Sequence, residues 1–442
     1  MECTPEPADA PGSASMRWWE TLSLVGLGAL LVAFGYLTLL RAAYYDNRMT
    51  DYGVYARAAW ALRTNHDLYT TTDDNGWHYV YPPAFAVIFI PFADPPQDAE
   101  NAGYLPYEIG VVVWYVISLL LVAYSCQTFA VVVLPNARRF SRRWWYARLI
   151  PFDVCISGIG YTLSRGQANI LLVAIIAAAF AAAMRGKQIR SGFWFALAVA
   201  LKIFPGLLLA FPLVRREWRS GFGVVLGCVF AGMLPAIVWG IPRAIDENIR
   251  FVERVVLPAV GGPTPPELAK ELHNMTAKPS QSFMAILHYM QYPTTDNRPN
   301  EPDAATKRAH WILSFILIVG TLVVGFRMPR PMPADDALVF LGALIIAMLL
   351  VVPMSHMHYY AIIHPAAAGI WLRSMKRSPG AVCGDPYTLA GLLCWMILTT
   401  IPLLPGELCI YFRYQGMAMW PTLGLWIWSI GILIRARRSA IP

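Results

Sequence analysis

The chain has 442 residues, 57% of them hydrophobic and 14% charged, with a net charge of +8 and a mean hydropathy of +0.47. Soluble globular proteins carry about 25% charged residues, so these few cannot cover a water-facing surface, and the apolar content excludes a disordered chain. Seven cysteines stand singly, with no CxxC pair, so neither a disulfide framework nor a zinc site can be read from them.

What remains is an all-α polytopic membrane protein. A hydrocarbon layer about 30 Å thick needs roughly 20 apolar residues in a helix. In chain order the candidate spans are 20–41, 108–134, 149–163, 167–184, 191–213, 221–240, 309–326, 336–353, 358–373, 386–404 and 416–434. This gives a bundle of about 11–12 membrane helices, counting a divided span as two. The stretch before Trp18 is acidic and rich in Pro, Ser and Ala, unlike the basic start of a cleaved signal. Residues 1–19 are therefore expected as a cytoplasmic tail, and 20–442 as one membrane-embedded domain.

Lys and Arg gather between spans, at 138–148, 185–190, 215–219, 327–330, 373–377 and 435–438. Basic loops stay on the cytoplasmic side. Both termini are then cytoplasmic, 42–107 and 241–308 are outer loops, and the positive charge argues for no nucleic-acid partner. The same rule makes 191–213 begin and end on one side. Lys202, Pro205 and Gly206 interrupt that segment, which is read as two half-helices turning there. A single Pro-kinked helix is the alternative.

The first outer loop is too long for a simple connector. Tyr52, Tyr55, Ala59 and Leu62 recur at helical spacing, predicting an amphipathic helix on the membrane surface. Asp51 stands at its start, where it either caps free N–H groups or does chemistry, with Asp46 as the nearby competitor. Asp73 and Asp74 are read as a solvated turn. Tyr81-Pro82-Pro83 is a stiff turn into a short apolar helix.

Between two later spans, Gln167 and Asn169 lie at the mouth of a helix, where amides are costly unless they bind a neighbour or a ligand. Both readings stay open. Arg165 is basic on the side that otherwise avoids basic charge. Lys202, charged within an apolar segment, faces a cavity and suits a phosphate at headgroup depth, unless it snorkels. His356 and His358 are two residues apart and diverge on a helix, so one histidine on a phosphate is favoured over a zinc pair.

Together these segments resemble glycosyltransferase family 87. The matching stretches are Asp51 to Ala59, Tyr81 to Ala84, Gly166 to Asn169, Gly192 to Pro205, and Ser355 with His358. Two stretches depart from the family pattern. Ser280-Gln281-Ser282 stands where Asn-Gln-Ser is usual, and His356 and Tyr359 replace the Trp and second His of Ser-Trp-x-His-His.

The resemblance implies a GT-C-like fold and an inverting transfer of mannose, or a related sugar, from a polyprenyl-phosphate donor. The acceptor would be a glycan or glycolipid hydroxyl at the outer face. Asp51 would be the base, and Lys202, Arg165 and His358 would hold the donor phosphate. Tyr55, Tyr81, Gln167, Asn169, Gln281 and His356 would contact substrate, with membrane lipids around the protein and no metal or cofactor demanded. The rival readings are a secondary transporter, which should show paired broken spans in two halves, and a non-catalytic lipid-binding relative.

Overall fold

In lipid a backbone N–H or C=O must be satisfied within its own segment, so long apolar runs become helices. The computed structural model describes residues 17–45, 50–259, 262–272, 274–275, 279–294, 297–378 and 384–439. Asp46 and most of the expected tail lie outside them. The main helices are α1 (Trp18–Leu39), α2 (Thr50–Thr64), α3 (Tyr107–Val133), α4 (Arg142–Val154), α5 (Ile156–Arg165), α6 (Asn169–Met184) and α7 (Gln188–Leu201). They continue with α8 (Arg219–Met233), α9 (Ala304–Phe326), α10 (Ala334–Val351), α11 (His364–Arg377), α12 (Pro386–Thr400) and α13 (Met419–Ser439). Among the described residues the only β pairing is an isolated bridge between Thr72 and His78.

Among the described residues seven helices, built on α1, α3, α8, α9, α10, α12 and α13, are long and apolar enough to cross a membrane. They correspond to seven of the expected spans. The other four are short or broken. Span 149–163 divides at Cys155 into α4 and α5, and span 358–373 starts as a 3₁₀ turn, Met357–Ile363, before α11. Spans 167–184 and 191–213 become α6, α7 and the apolar stretch Phe204–Val214. These shorter pieces are the ones that build the site.

α10 is the central helix, buried along nearly its whole length. Two glycines let it meet α11 closely. A Cβ on Gly342 would lie 2.5 Å from the Ala366 Cα, and one on Gly369 would lie 2.9 Å from the Leu338 carbonyl carbon. Small residues of this kind are how apolar helices associate where burial from water gives no drive. The buried carboxylates of Asp335 and Asp336 occupy the first turn of α10 and take Lys376 Nζ at 2.6 Å and Arg373 Nε at 2.7 Å. A helix N-terminus favours anions, and each buried charge has its counter-ion.

The chain reverses at Lys202. α7 and α8 run side by side in the same direction, since Gly223 abuts Ile189 and Gly227 abuts Phe193. The segment between them must therefore return. It does so through Phe204–Leu209 and Ala210–Val214, bringing Phe211 to 5.6 Å from Phe195. Lys202 ends α7 in an extended conformation, and Pro205 has no N–H with which to continue the ladder.

The six basic clusters share one end of the bundle. Arg142 reaches Glu20 at the start of α1, and Arg143 reaches the Met375 and Ser378 carbonyls. Arg330 reaches the Val214 carbonyl. Both described chain termini lie at this end, while Lys202, Arg165 and Met354 lie at the other. There the two long loops clasp each other: Arg243 donates to the Asn65 carbonyl at 3.2 Å, and Phe251 stacks on Tyr69.

α2 is more enclosed than a membrane-surface helix. Tyr52, Tyr55, Ala59 and Leu62 are buried, but so are Ala56, Arg57, Ala58 and Ala61 on its other faces. Arg57 explains this. Its guanidinium bonds Asp74 Oδ1 at 2.7 Å and the Asp94, Thr72 and Pro95 carbonyls, drawing the loop over the helix. The Asp73–Asp74 turn is accordingly not a solvated one. Asp73 is buried, accepts from the Asn75 and Trp77 backbone, and burial raises its pKa.

The close approach at α10 makes a testable demand. Gly342→Ala is expected to destabilise by about 1–3 kcal/mol through overpacking, seen as a lower midpoint in a detergent thermal melt. Gly232→Ala, with nothing within 4 Å of the added methyl, is expected to leave the midpoint unchanged.

Candidate active site

The α5–α6 connection is a tight turn. Gly166 adopts φ +65°, a conformation glycine takes without steric cost. Its carbonyl accepts from Trp114 Nε1 at 2.9 Å. Arg165, Gln167 and Asn169 are thereby presented together at the site end of the bundle.

Their partners come from three other segments. Asp51, in the first turn of α2, accepts from Arg165 Nε at 2.5 Å on Oδ2 and from Gln167 Nε2 at 2.6 Å on Oδ1. Gln167 Oε1 in turn accepts from Lys202 Nζ at 3.0 Å and from the Tyr55 hydroxyl at 2.8 Å. Lys202 Nζ also donates to Asn169 Oδ1 at 2.7 Å. The Asn169 amide donates to the His358 carbonyl at 2.9 Å, which also takes the Thr162 hydroxyl at 2.6 Å. One connected network thus joins Asp51, Lys202 and the His358 backbone.

The electrostatics are uneven across it. Arg165 neutralises Asp51 directly, whereas buried Lys202 is held by two neutral amides, with the rings of Tyr359 and Tyr81 at 4.7 and 5.2 Å. An ammonium has three donors, and those two amides take two. One donor of Lys202 is therefore left toward the space it lines. Tyr55 and Tyr81 share a hydroxyl contact of 3.1 Å. Burial above all, then the charge of Asp51, pushes the Tyr81 phenol up to about 12, so it stays a neutral donor near pH 7.

Two cavities meet here. An open cleft of about 110 Å³ is lined by Asp51, Tyr55, Arg165, Gln167, His356 and His358, among others. A larger, mostly apolar groove of about 430 Å³ runs past Lys202, Phe204, Val255, Met284 and Trp311. Tyr81 and Tyr359 border both, forming a partition between them.

Nine of the ten expected site residues fall in this region. Asp51, Tyr55, Tyr81, Arg165, Gln167, His356 and His358 line the cleft, Lys202 lines the groove, and Asn169 stands behind Lys202. Arg165 is engaged with Asp51 rather than presented to the groove. The exception is Gln281. It is fully buried; its amide nitrogen donates to the Arg413 carbonyl at 2.6 Å, and its oxygen accepts from the Ala418 N–H at 3.3 Å. Its place in the chain serves the site indirectly. Ser280 Oγ accepts from the Ser355 N–H at 2.8 Å, the Gln281 N–H donates to the Ser355 carbonyl at 2.6 Å, and Ser282 Oγ donates to the Pro353 carbonyl at 2.5 Å. This segment pins the loop that carries His356.

Sequence reasoning missed Trp77, His78, Lys270 and Glu271, which also line the cleft. They come from the two long loops, and no periodicity or local motif singles them out. Gln281→Ala is expected to destabilise by about 1–3 kcal/mol, because it orphans buried backbone groups, as read by a detergent thermal melt.

The chain is similar in sequence to a polyprenol-phosphate-mannose-dependent α-(1-2)-phosphatidylinositol mannoside mannosyltransferase of Mycobacterium tuberculosis. The two are 23% identical over 370 residues, covering 81% of this chain and 76% of the relative. Crystal structures of ArnT from Cupriavidus metallidurans are looser likenesses. The form bound to undecaprenyl phosphate has a TM-score of 0.41 and 15% identity over 95% of this chain and 79% of that one. The apo form gives 0.42 and 14% over 94% and 78%. Likeness at that level fixes the position of no side chain. The family model is decisive: the model of glycosyltransferase family 87 matches residues 79–353, more than half of the sequence, and this chain belongs to that family.

Proposed function

We propose that the protein is an inverting glycosyltransferase that moves mannose, or a related hexose, from a polyprenyl-phosphate donor to a hydroxyl of a glycan or glycolipid. The mannose assignment is supported by the name of the mycobacterial relative. The observation that carries the reading is the coupling of Asp51 to Lys202 through Gln167, with the cleft lined by Asp51 on one side and an apolar groove lined by Lys202 on the other.

In this reading the groove takes the polyprenyl chain and Lys202 holds the phosphate. The lysine has positive charge that the amides leave uncancelled, which suits an anion that gains charge as it departs. A carboxylate has about four lone-pair sites, and Arg165 and Gln167 occupy two at Asp51. Those two partners fix its orientation, leaving it able to take the proton of an acceptor hydroxyl. Attack from the cleft on an anomeric carbon whose phosphate lies in the groove inverts that centre, so a β-linked donor gives an α-linked product. His358 and His356 border the cleft, where the acceptor enters. The site faces the outer side of the membrane and both termini are cytoplasmic, a proposal supported by the basic clusters gathered at the opposite end.

The test is transfer by purified protein from labelled polyprenyl-phosphate-mannose to phosphatidylinositol mannosides and other glycolipid acceptors. Asp51→Asn is expected to lower kcat by about 10²–10⁴-fold, and Lys202→Met by about 10²–10³-fold. The product linkage should be α by NMR. Transfer that survives Asp51→Asn at the wild-type rate would sink the proposed base, and absence of transfer to every acceptor would sink the activity.

A further inference from the structure

Across the cleft from the network lies a second acidic group. Glu271 belongs to the outer loop 241–308, and it meets His78 of the first outer loop, 193 positions away in the chain. Its Oε1 accepts from the His78 backbone N–H at 3.0 Å and lies 3.1 Å from the His78 Nδ1. The side chain is only 5% exposed. Its other oxygen, Oε2, is buried and has no hydrogen-bond partner among the described residues. A buried carboxylate oxygen without a donor is costly. One oxygen is therefore held in place, and the other lacks a donor.

We propose that Glu271, steadied by His78, binds the hydroxyl groups of the sugar being transferred and so sets donor-sugar specificity. The inference rests on the donor reading given above. Its argument is position. Asp51 lines the cleft and not the groove, Lys202 lines the groove and not the cleft, and Glu271 lines both. A donor with phosphate at Lys202, attacked from the Asp51 side, must set its ring across the boundary the two cavities share. The other residues on that boundary are Val80, Tyr81, Met354 and Tyr359, apolar and aromatic surfaces that suit the C–H faces of a pyranose. Glu271 supplies what they lack, an ionisable group that only accepts hydrogen bonds when charged, matched to sugar O–H donors.

The experiment compares wild type, Glu271→Gln and His78→Ala in steady-state transfer, using polyprenyl-phosphate-mannose and its monodeoxy-mannose analogues. Binding of polyprenyl monophosphate, which has no sugar, is measured in parallel. Glu271→Gln is expected to raise the donor KM about tenfold, the loss of one charge-assisted hydrogen bond. The acceptor KM and polyprenyl monophosphate binding should stay within about twofold of wild type, since a uniform binding contact to the sugar acts on the donor alone. The variant should also discriminate less against the one deoxy analogue that lacks the contacted hydroxyl, and His78→Ala should shift the same parameters less.

Unchanged donor KM and unchanged discrimination in both variants overturn the proposal. So does a change in acceptor KM alone, which would assign Glu271 to the acceptor. Loss of polyprenyl monophosphate binding in both variants would overturn it too, by making the pair a scaffold of the groove. Wild-type protein that transfers no sugar is a different result, one that removes the donor reading itself.

Discussion

Lys202 is an ammonium enclosed within a bundle of apolar helices, and the need to satisfy it arranges much of what surrounds it. Its charge costs several kcal/mol to bury without partners. Gln167 and Asn169 meet that need, which places the α5–α6 turn against the end of α7. Gln167 can orient its oxygen toward Lys202 only while its nitrogen points elsewhere, and Asp51 receives it. Asn169 likewise turns its nitrogen to the His358 carbonyl. Two bipolar amides thus convert the requirement of a single cation into fixed positions for a carboxylate and a loop. The acid and the cation are thus coupled without touching.

Much of this was legible in the sequence because hydrophobic length and charge placement are local signals. The seven long helices follow directly from apolar runs, and the interruption at Lys202, Pro205 and Gly206 marks the chain reversal. Residues that break an apolar context, such as Arg165 and Lys202, announce themselves. Residues in polar loops do not. Glu271 and His78 read as ordinary loop residues, since their pairing depends on two long loops closing on each other. Asp73 and Asp74 read as solvated because their organiser, Arg57, sits on a helix whose apolar face suggested the membrane surface. Gln281 illustrates a different limit. A buried amide looks the same in sequence whether it meets a sugar or a main-chain carbonyl, and here it meets carbonyls.

The bundle also divides its labour by end. The basic clusters and the ion pairs of Asp335 and Asp336 lie at one end, where they hold helices α10 and α11 in register. Around Lys202 the bonds are made instead by amides, a phenol and a carbonyl. Neutral hydrogen-bonding groups fix geometry without cancelling the charges that a phosphate and an acceptor hydroxyl would respond to.

The loop from Pro353 to His358 is tied at several points through its main chain. The Pro353, Ser355 and His358 carbonyls and the Ser355 N–H carry the bonds to Ser282, Gln281, Thr162, Asn169 and Ser280. A wall anchored this way keeps its course whatever side chains it displays. His356, where the family pattern has Trp, falls on this stretch. A different side chain can therefore stand there while the carboxylate and the lysine stay where they are. The fold separates a part free to drift from a part that cannot.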